Sequence, residues 1–248
     1  MWLTRQPNGF VGCTRATDPR DPGARHPPKR QIAANGSRRS VALPDQANAT
    51  TTTTSVQDGR VTDDIRWEVV EESSLSLPDH EAIAALLAQA FPDWSHWYVG
   101  GRSWSGMQPE RRVLARDQDG VVLAHVGIRR MFITVGGRDV LVGDTGLVAV
   151  SPRLQGSGKG RELMERTHAV LDGLAVPYGF LGAGENRIPF YAKLGWHEFP
   201  EVVGTFSAFT AEGAGITNTE QGGWMVRPVA AALEDWPTGA IWLNGQEV

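Results

Sequence analysis

Apolar and polar residues alternate along several stretches of the chain beyond residue 62, a period typical of strands with one buried face. These stretches and one short apolar run predict strands over residues 65–70, 111–116, 121–135, 140–150, 177–181, 202–209 and 224–229. Asp117–Gly120 has the composition of a tight hairpin turn between the second and third strands. We interpret the last two strands as a pair.

Apolar residues recur instead every three to four positions in other stretches, which predicts amphipathic helices. These helices are predicted over 78–90, 158–174 and, as a short segment, 186–194. Pro78 and Pro189 stand near helix starts, where proline is tolerated. Residues 91–109 and the last twenty residues show no regular period.

The order of these elements predicts an α/β fold with a mixed, mostly antiparallel sheet and helices on both faces. The strand over 140–150, the helix over 158–174 and the strand over 177–181 form a crossover unit. Such a crossover is right-handed and makes its two strands parallel. We therefore expect one central parallel pair.

Residues 1–62 differ from the rest in composition, being rich in Pro, Ser, Thr and Asn and poor in large apolar residues. Such a segment cannot bury enough surface to offset the entropy of ordering. We predict a disordered N-terminal tail over 1–62 and one folded domain over 63–248.

Charge and composition narrow the function classes. Residues 1–62 hold nine Lys and Arg against four Asp and Glu, whereas 63–248 hold 15 against 24. An acidic domain argues against nucleic acid as a partner and suits a cationic substrate. No apolar run has the length of a signal peptide core or a membrane span, so we expect a cytoplasmic protein without a membrane partner.

Metal and disulfide chemistry find no support in the sequence. The single cysteine, Cys13, lies in the predicted tail, and the six histidines show no metal-binding spacing. We therefore expect no metal. The sequence leaves the oligomeric state open, a homodimer included.

The stretch from Val148 to Gly160 reads as a strand that ends at a proline, a polar glycine loop and the start of a helix. That layout presents backbone N–H groups and a helix N-terminus to an anion such as a diphosphate. The spacing departs from a dinucleotide fingerprint, because the three glycines at 156, 158 and 160 alternate. It also departs from a P-loop, because Lys159 precedes Gly160 instead of Ser or Thr.

Val150-Ser151-Pro152, followed by Gln155, Gly158 and Gly160, resembles the pyrophosphate loop of the GNAT acyltransferase superfamily. The later stretch 190–196, Phe-Tyr-Ala-Lys-Leu-Gly-Trp, resembles the tyrosine motif of the same superfamily. The resemblance implies a GNAT-like fold, an acyl thioester donor and direct attack by an amine without an acyl-enzyme.

Within the superfamily, residues 66–155 look most like the nodulation protein A family. The matching stretches are Gly101–Trp104, Pro109–Glu110, Gly127–Ile133, Leu141–Pro152 and, near the end, Asp235–Gly239. Members of that family attach a fatty acyl chain from an acyl carrier protein to the free amine of a chitin oligosaccharide. The Tyr191 motif, Asp235-Trp236 and Trp242 also resemble aminoglycoside 2′-N-acetyltransferases.

The donor is predicted from a position at which this chain departs from the nodulation family. The nodulation family has an acidic residue where this chain has Gln155, which follows the general pattern for coenzyme A. We therefore predict acetyl-CoA as donor and an amino sugar or a similar small amine as acceptor. The alternatives are a nodulation-type fatty N-acyltransferase acting on a chitin-like oligosaccharide, and a non-enzymatic coenzyme A sensor or interaction module.

The resemblance implies roles for individual residues. Backbone N–H groups of Val148 or Val150 polarise the thioester carbonyl, and the loop amides hold the pyrophosphate. The predicted donor-binding residues are Val148, Ala149, Val150, Gln155, Gly156, Ser157, Gly158, Lys159, Gly160 and Arg161.

Two residues are candidates for proton transfer. A phenol placed beside the sulfur can protonate the leaving thiolate, so Tyr191 is the candidate general acid; a core tyrosine is the alternative. Asp144 is the candidate general base, acting through water; an ion pair with Arg129, Arg130 or Arg138 is the alternative. Glu185 and His125 are reserve bases.

Aromatic residues supply the candidate acceptor site. The predicted substrate-binding residues are Trp94, Trp97, Trp104, Asp235 and Trp236. Aromatic faces suit the CH groups of a sugar, and carboxylates suit its cationic amine. The alternative is a satellite hydrophobic cluster under a long loop.

Overall fold

The computed structural model describes residues 64–199, 202–209 and 215–247. The predicted tail over 1–62 lies outside these residues. Three α-helices occur in the described part: α1 (Leu77–Ala90), α2 (Lys159–Leu174) and α3 (Ile188–Ala192). The strands described are β1 (Arg66–Glu71), β2 (Arg111–Arg116), β3 (Val122–Val135), β4 (Arg138–Val150), β5 (Tyr178–Gly182), β6 (His197–Glu198), β7 (Gly204–Phe209), β8 (Ile216–Gln221), β9 (Trp224–Pro228) and β10 (Ile241–Trp242).

The strands form one mixed sheet around the long hairpin of β3 and β4. β1 pairs with β2 and β2 pairs with the first half of β3, all antiparallel. β4 pairs in parallel with β5, as the crossover predicts, and β9 joins β5 to β6. At the far end of β3, β10 leads to β7 and β8. The mostly antiparallel sheet with a central parallel pair is thus confirmed, and β10 and β7 form a second parallel pair that the sequence did not predict.

The two long helices cover opposite faces of the sheet. Neighbouring residues of a strand point to opposite faces, and Leu114 packs with the α1 cluster whereas Val113 packs with the α2 cluster. The buried side chains Leu87 of α1 and Leu163 of α2 mark these two cores. Helices on both faces are therefore confirmed. None of the helices among the described residues is long and apolar enough to cross a bilayer.

The predicted pairing of the last two strands is wrong. β9 lies between β5 and β6, and β7 lies between β8 and β10. Trp224, Met225 and Val226 are all fully buried, as expected of a strand with neighbours on both edges. The sequence analysis also missed β8, whose residues Ile-Thr-Asn-Thr-Glu-Gln are mostly exposed, and the two-residue strands β6 and β10.

Candidate functional site

β4 and β5 part after a short parallel ladder. Their pairing runs from Val142 opposite Tyr178 to Asp144 opposite Phe180. Beyond it β4 continues to Val150, while β5 stays paired with β9 up to Gly182. The strands therefore leave an opening in the middle of the sheet, with Asp144 at its closed end.

A β-bulge lies on the β4 side of this opening. Gly146 pairs with Gly127 and Ala149 pairs with His125, so that two residues of β4 face one residue of β3. Leu147, inside the bulge, has a positive φ of 53°, which a branched L-residue rarely adopts. Bulges of this kind re-aim the strand that carries them and are frequent beside active sites.

His125 supports the bulge from the neighbouring strand. Its side chain is fully buried, and its Nδ1 lies 2.8 Å from the Leu147 carbonyl oxygen. Its Nε2 lies 2.9 Å from Arg112 Nη1, which can only donate, so Nδ1 carries the proton and donates to Leu147. Burial, followed by the Arg112 charge, lowers the pKa of His125 to about 3. The neutral imidazole therefore has a structural task at the bulge.

Arg112 connects this support to the segment before β2. The guanidinium is fully buried and makes a two-bond ion pair with Glu72, at 2.5 Å from Nε and 2.9 Å from Nη2. Its Nη1 also donates to the Ser103 carbonyl at 3.1 Å, and His80 Nδ1 lies 2.9 Å from Ser103 Oγ. One buried cation thus links the loop before β2, the end of β1 and, through His125, the bulge.

The lowered pKa of His125 predicts a pH-dependent stability. Its pKa is about 3 in the folded chain and about 6.5 when unfolded, so the unfolded chain binds more protons below pH 6.5. We expect His125 alone to lower the free energy of unfolding by about 2 kcal/mol between pH 7 and pH 5. An NMR titration of the histidine resonances measures the pKa of His125 in the folded protein, on which this expectation depends. A His125 resonance that titrates near pH 6.5 in the folded protein would contradict the expectation.

The glycine loop follows β4 directly. Residues Pro152–Leu154 form a 3-10 turn, and Gly156 and Gly158 take φ values of 76° and 80°. Gly158 is the N-cap of α2, so the left-handed backbone there sets how the helix begins. Among the described residues, the backbone amides of Gly156 and the three residues 158–160 have no protein acceptor. Such a group of amides at a helix start can bind an oxyanion.

The cations around the loop have carboxylate partners. Lys159 Nζ lies 2.9 Å from Glu162 Oε2, and Arg153 Nη1 lies 3.0 Å from Asp117 Oδ2. Arg161 is mostly exposed and lies 3.9 Å from Glu165. The backbone is therefore the main source of positive potential at the loop, and donor contacts for Lys159 and Arg161 stay a prediction.

The two candidate proton-transfer residues lie in different surroundings. Asp144 is 2% exposed, on β4 at the closed end of the opening. Tyr191 lies on α3 in the core under α2, where it packs against Phe190 and Trp196. Burial raises the pKa of Tyr191, which keeps its phenol protonated at neutral pH. Both roles stay predictions.

The predicted acceptor residues fall into two groups. Trp94, Trp97 and Trp104 pack together against the α1 cluster, with the Arg112 guanidinium 5.9 Å from the Trp104 ring centre. Trp236 is buried instead in a different cluster. The structure therefore places the first three against one cluster and Trp236 in another.

The surroundings of Trp236 explain this separation. Its ring lies edge-on to Tyr178, with ring centres 4.9 Å apart, and stacks with Phe180 at 6.3 Å. Asp235, its neighbour in sequence, is exposed. Phe180 is the residue opposite Asp144, so Trp236 packs behind the closed end of the opening. The acceptor roles of Asp235 and Trp236 stay predictions.

Glu247, which the sequence pattern does not single out, lies beside the end of β5. Its Oε1 accepts a hydrogen bond from Gln221 Nε2 at 3.3 Å, and its carbonyl oxygen accepts one from Met107 N at 2.8 Å. A Cβ added to Gly182, the last residue of β5, would lie 2.8 Å from Glu247 Oε1. Burial, followed by the charge of Asp144, raises the pKa of Glu247 to about 8. No periodic signal in the sequence marks this residue.

Metal ligands are not grouped in the described ranges: no set of three or more His, Cys, Asp or Glu residues there is arranged to hold an ion.

Comparison with known proteins gives one consistent family. The family model described as nodulation protein A (NodA) matches residues 62–248. A nodulation protein A from Sinorhizobium terangae is 35% identical over 195 residues, covering 74% of this chain and 98% of the relative. The one from Rhizobium meliloti strain 1021 is 31% identical over 194 residues, with the same coverage.

A solved structure shares the fold. YhbS, a GNAT family N-acetyltransferase from Escherichia coli solved in complex with CoA, matches with a TM-score of 0.50 and 16% identity. The match covers 73% of this chain and 91% of that one. The GNAT-like architecture expected from the sequence is therefore confirmed.

Proposed function

This chain belongs to the nodulation protein A family and is an N-acyltransferase, and from that premise we propose that it transfers a fatty acyl group to the free amine of a chitin-like oligosaccharide. The observation that carries the proposal is the match over residues 62–248, which spans the whole opening between β4 and β5. The nodulation-type reaction, an alternative in the sequence analysis, thereby replaces acetylation of a small amine as the main reading.

The donor is a thioester on a phosphopantetheine arm, a group common to acyl-CoA and acyl carrier protein. The amides of Gly156 and residues 158–160 are the binding site for its phosphates. Gln155 and the number of loop amides without a protein acceptor support coenzyme A, whose diphosphate needs more amide donors than a single phosphate does. Both donors are made in the cytoplasm, where we expect the reaction.

Alignment supplies most of the catalysis. The arm enters between the parted strands and places its carbonyl oxygen beside the N–H of Val148 or Val150. Holding thioester and amine in attack geometry can supply about 7–11 kcal/mol of the barrier in ideal cases. Asp144 takes a proton from the amine, and Tyr191 gives one to the departing thiolate. Trp94, Trp97 and Trp104 form a wall for the sugar rings.

A matrix of donors and acceptors tests the proposal. Acetyl-CoA, palmitoyl-CoA and palmitoyl acyl carrier protein are each combined with a partly deacetylated chitin oligosaccharide and with its fully N-acetylated counterpart. We expect acyl transfer from a palmitoyl donor to the first acceptor and none to the second. Transfer confined to acetyl-CoA would restore the acetyltransferase reading. Binding of coenzyme A without any transfer would favour a sensor.

Gly158→Ala should weaken donor binding. A Cβ forced into the left-handed region costs about 1–2 kcal/mol, or shifts the loop to avoid that cost, and either effect disturbs the amides at the start of α2. We expect about a tenfold increase in the donor KM. Gly173→Ala, inside α2 with open space around its Cβ, is the matched control and should leave KM unchanged. Equal KM values for both variants would contradict a phosphate-binding role.

A further inference from the structure

We propose that Glu247 is a second catalytic carboxyl group of the acyl-transfer site, which acts with Asp144 to bind the acceptor ammonium and remove its proton. The inference rests on the proposed function and names a residue that neither the resemblance nor the sequence pattern pointed to. Asp144 and Glu247 are called the carboxyl pair below.

The position of Glu247 is fixed by contacts on three sides. Met107 N holds its carbonyl oxygen, and Gln221 Nε2 holds its carboxyl oxygen. The carboxyl group lies over Gly182, where any larger residue would place its Cβ 2.8 Å from Oε1. The absence of a side chain at Gly182 therefore makes room for the carboxyl at the end of β5.

That position faces the opening between β4 and β5. Gly182 stands two residues beyond Phe180, the last β5 residue paired with β4. Asp144 is the β4 partner of Phe180, and alternate residues of a strand share a face, so Asp144 lies on the same face of the sheet as the Glu247 carboxyl over Gly182. The charge of Asp144 also contributes to the raised pKa of Glu247. The carboxyl pair thus lies where the reacting carbon of a thioester held between the strands must meet the acceptor.

A cation is the ligand that such a pair favours. Two carboxyls held together repel each other when both are ionised, and a positive charge between them relieves the repulsion. The side chains of Gln221 and Trp224, which meet the Glu247 carboxyl at Gly182, are uncharged, and the charge of Asp144 raises the pKa of Glu247. A primary ammonium, with three donors, can reach both carboxyls.

The protons of the reaction balance when the carboxyl pair accepts them from the amine. The acceptor ammonium gives one proton to the carboxyl pair, and its nitrogen lone pair then forms the C–N bond at the thioester carbon. The carboxyl pair passes the first proton to solvent and takes a second from the nitrogen of the adduct. The C–S bond breaks with its electron pair on sulfur, the thiolate takes a proton from the Tyr191 phenol, and the second proton restores that phenol. One proton in all is released to solvent. A carboxyl with a pKa of about 8 is well matched to an amine as proton acceptor.

Glu247→Gln tests the inference, with Glu220→Gln as matched control. Glu220 is an exposed carboxylate of β8, next to Gln221. We expect Glu247→Gln to lower kcat by about 100-fold with donor KM unchanged, and Glu220→Gln to leave both unchanged. Wild-type kinetics in Glu247→Gln would overturn the role of Glu247. A wild-type enzyme that acylates no acceptor would instead overturn the proposed function.

Thermal unfolding gives a readout that does not depend on activity. The pKa of Glu247 is raised on folding, so the folded chain binds more protons between about pH 4.5 and pH 8 and loses stability as pH rises through that range. Glu247→Gln removes this loss, and its Tm at pH 9 should exceed that of the wild type. A Tm at pH 9 equal to that of the wild type would count against the carboxyl pair.

Gln221→Met is a second variant that tests the proposal if Glu247→Gln does not fold. It removes the hydrogen bond that stabilises the ionised carboxyl, so the pKa of Glu247 should rise further. We expect the ascending limb of the kcat pH profile to move to higher pH in this variant. An unmoved limb would overturn the proposal.

Discussion

Asp144→Asn should lower kcat/KM about 100-fold or more, because an amide cannot accept the proton of an attacking ammonium. Asp144 is 2% exposed at the closed end of the opening, so bulk water cannot easily replace it. The rate of acyl transfer to a deacetylated chitin oligosaccharide is measured from the release of the free thiol. Thermal unfolding of the same variant separates lost chemistry from lost folding.

Asp139→Asn is the matched control for this prediction. Asp139 lies on the same strand, is exposed and accepts a hydrogen bond from Thr134 Oγ1 at 3.0 Å. We expect it to keep wild-type kinetics. A folded Asp144→Asn variant with the wild-type rate would show that Asp144 only packs or pairs with a cation. If Asp144 and Glu247 accept the proton as one unit, the double variant should be scarcely slower than either single variant.

Glu72→Ala should lower the free energy of unfolding by about 3–5 kcal/mol. The change leaves the Arg112 guanidinium, which is fully buried, without its carboxylate, and an uncompensated buried charge is strongly destabilising. Urea unfolding at pH 7 measures the effect. Because Arg112 also binds the Ser103 carbonyl and His125, we expect the rate of acyl transfer to fall as well.

The neighbouring residue gives an unusually close control. Glu71 also forms an ion pair, with Arg111 at 2.7 Å, but its side chain is 53% exposed. Exposed pairs contribute about 0–1 kcal/mol, so Glu71→Ala should change stability only slightly. Similar decreases in the free energy of unfolding for both variants would mean that burial does not make the ion pair of Glu72 more important for stability than the exposed pair of Glu71.

Local signals in the sequence predicted most of the central fold. The β3–β4 hairpin, α1 and α2 each carry a sustained period, and the loop over 155–160 carries glycines that the structure places at positive φ. β10 could not be predicted in this way, because two residues cannot show a period. β9 and β7 were paired wrongly, since short apolar strands fit several neighbours and only their packing in the assembled sheet decides.

The candidate site was predictable only in part for a similar reason. Asp144 stands on a strand that leads into a recognisable loop, so local pattern and resemblance both pointed to it. Glu247 and Gln221 meet beside Gly182 from distant parts of the chain, and no spacing rule connects them. Arg112 lies in the strand predicted over residues 111–116, and no local pattern shows that its guanidinium is completely buried.

The buried Arg112 also affects the local opening of the protein. Lifting the loop that carries Ser103 would break the two hydrogen bonds that Arg112 donates to it and leave part of the guanidinium unsatisfied inside the protein. Amide hydrogen exchange in this loop, at the end of β1 and around the bulge should therefore occur together, in one rare opening event. If the proposed acceptor wall opens only in this rare event, acceptors should bind to it without a closing motion of the loop.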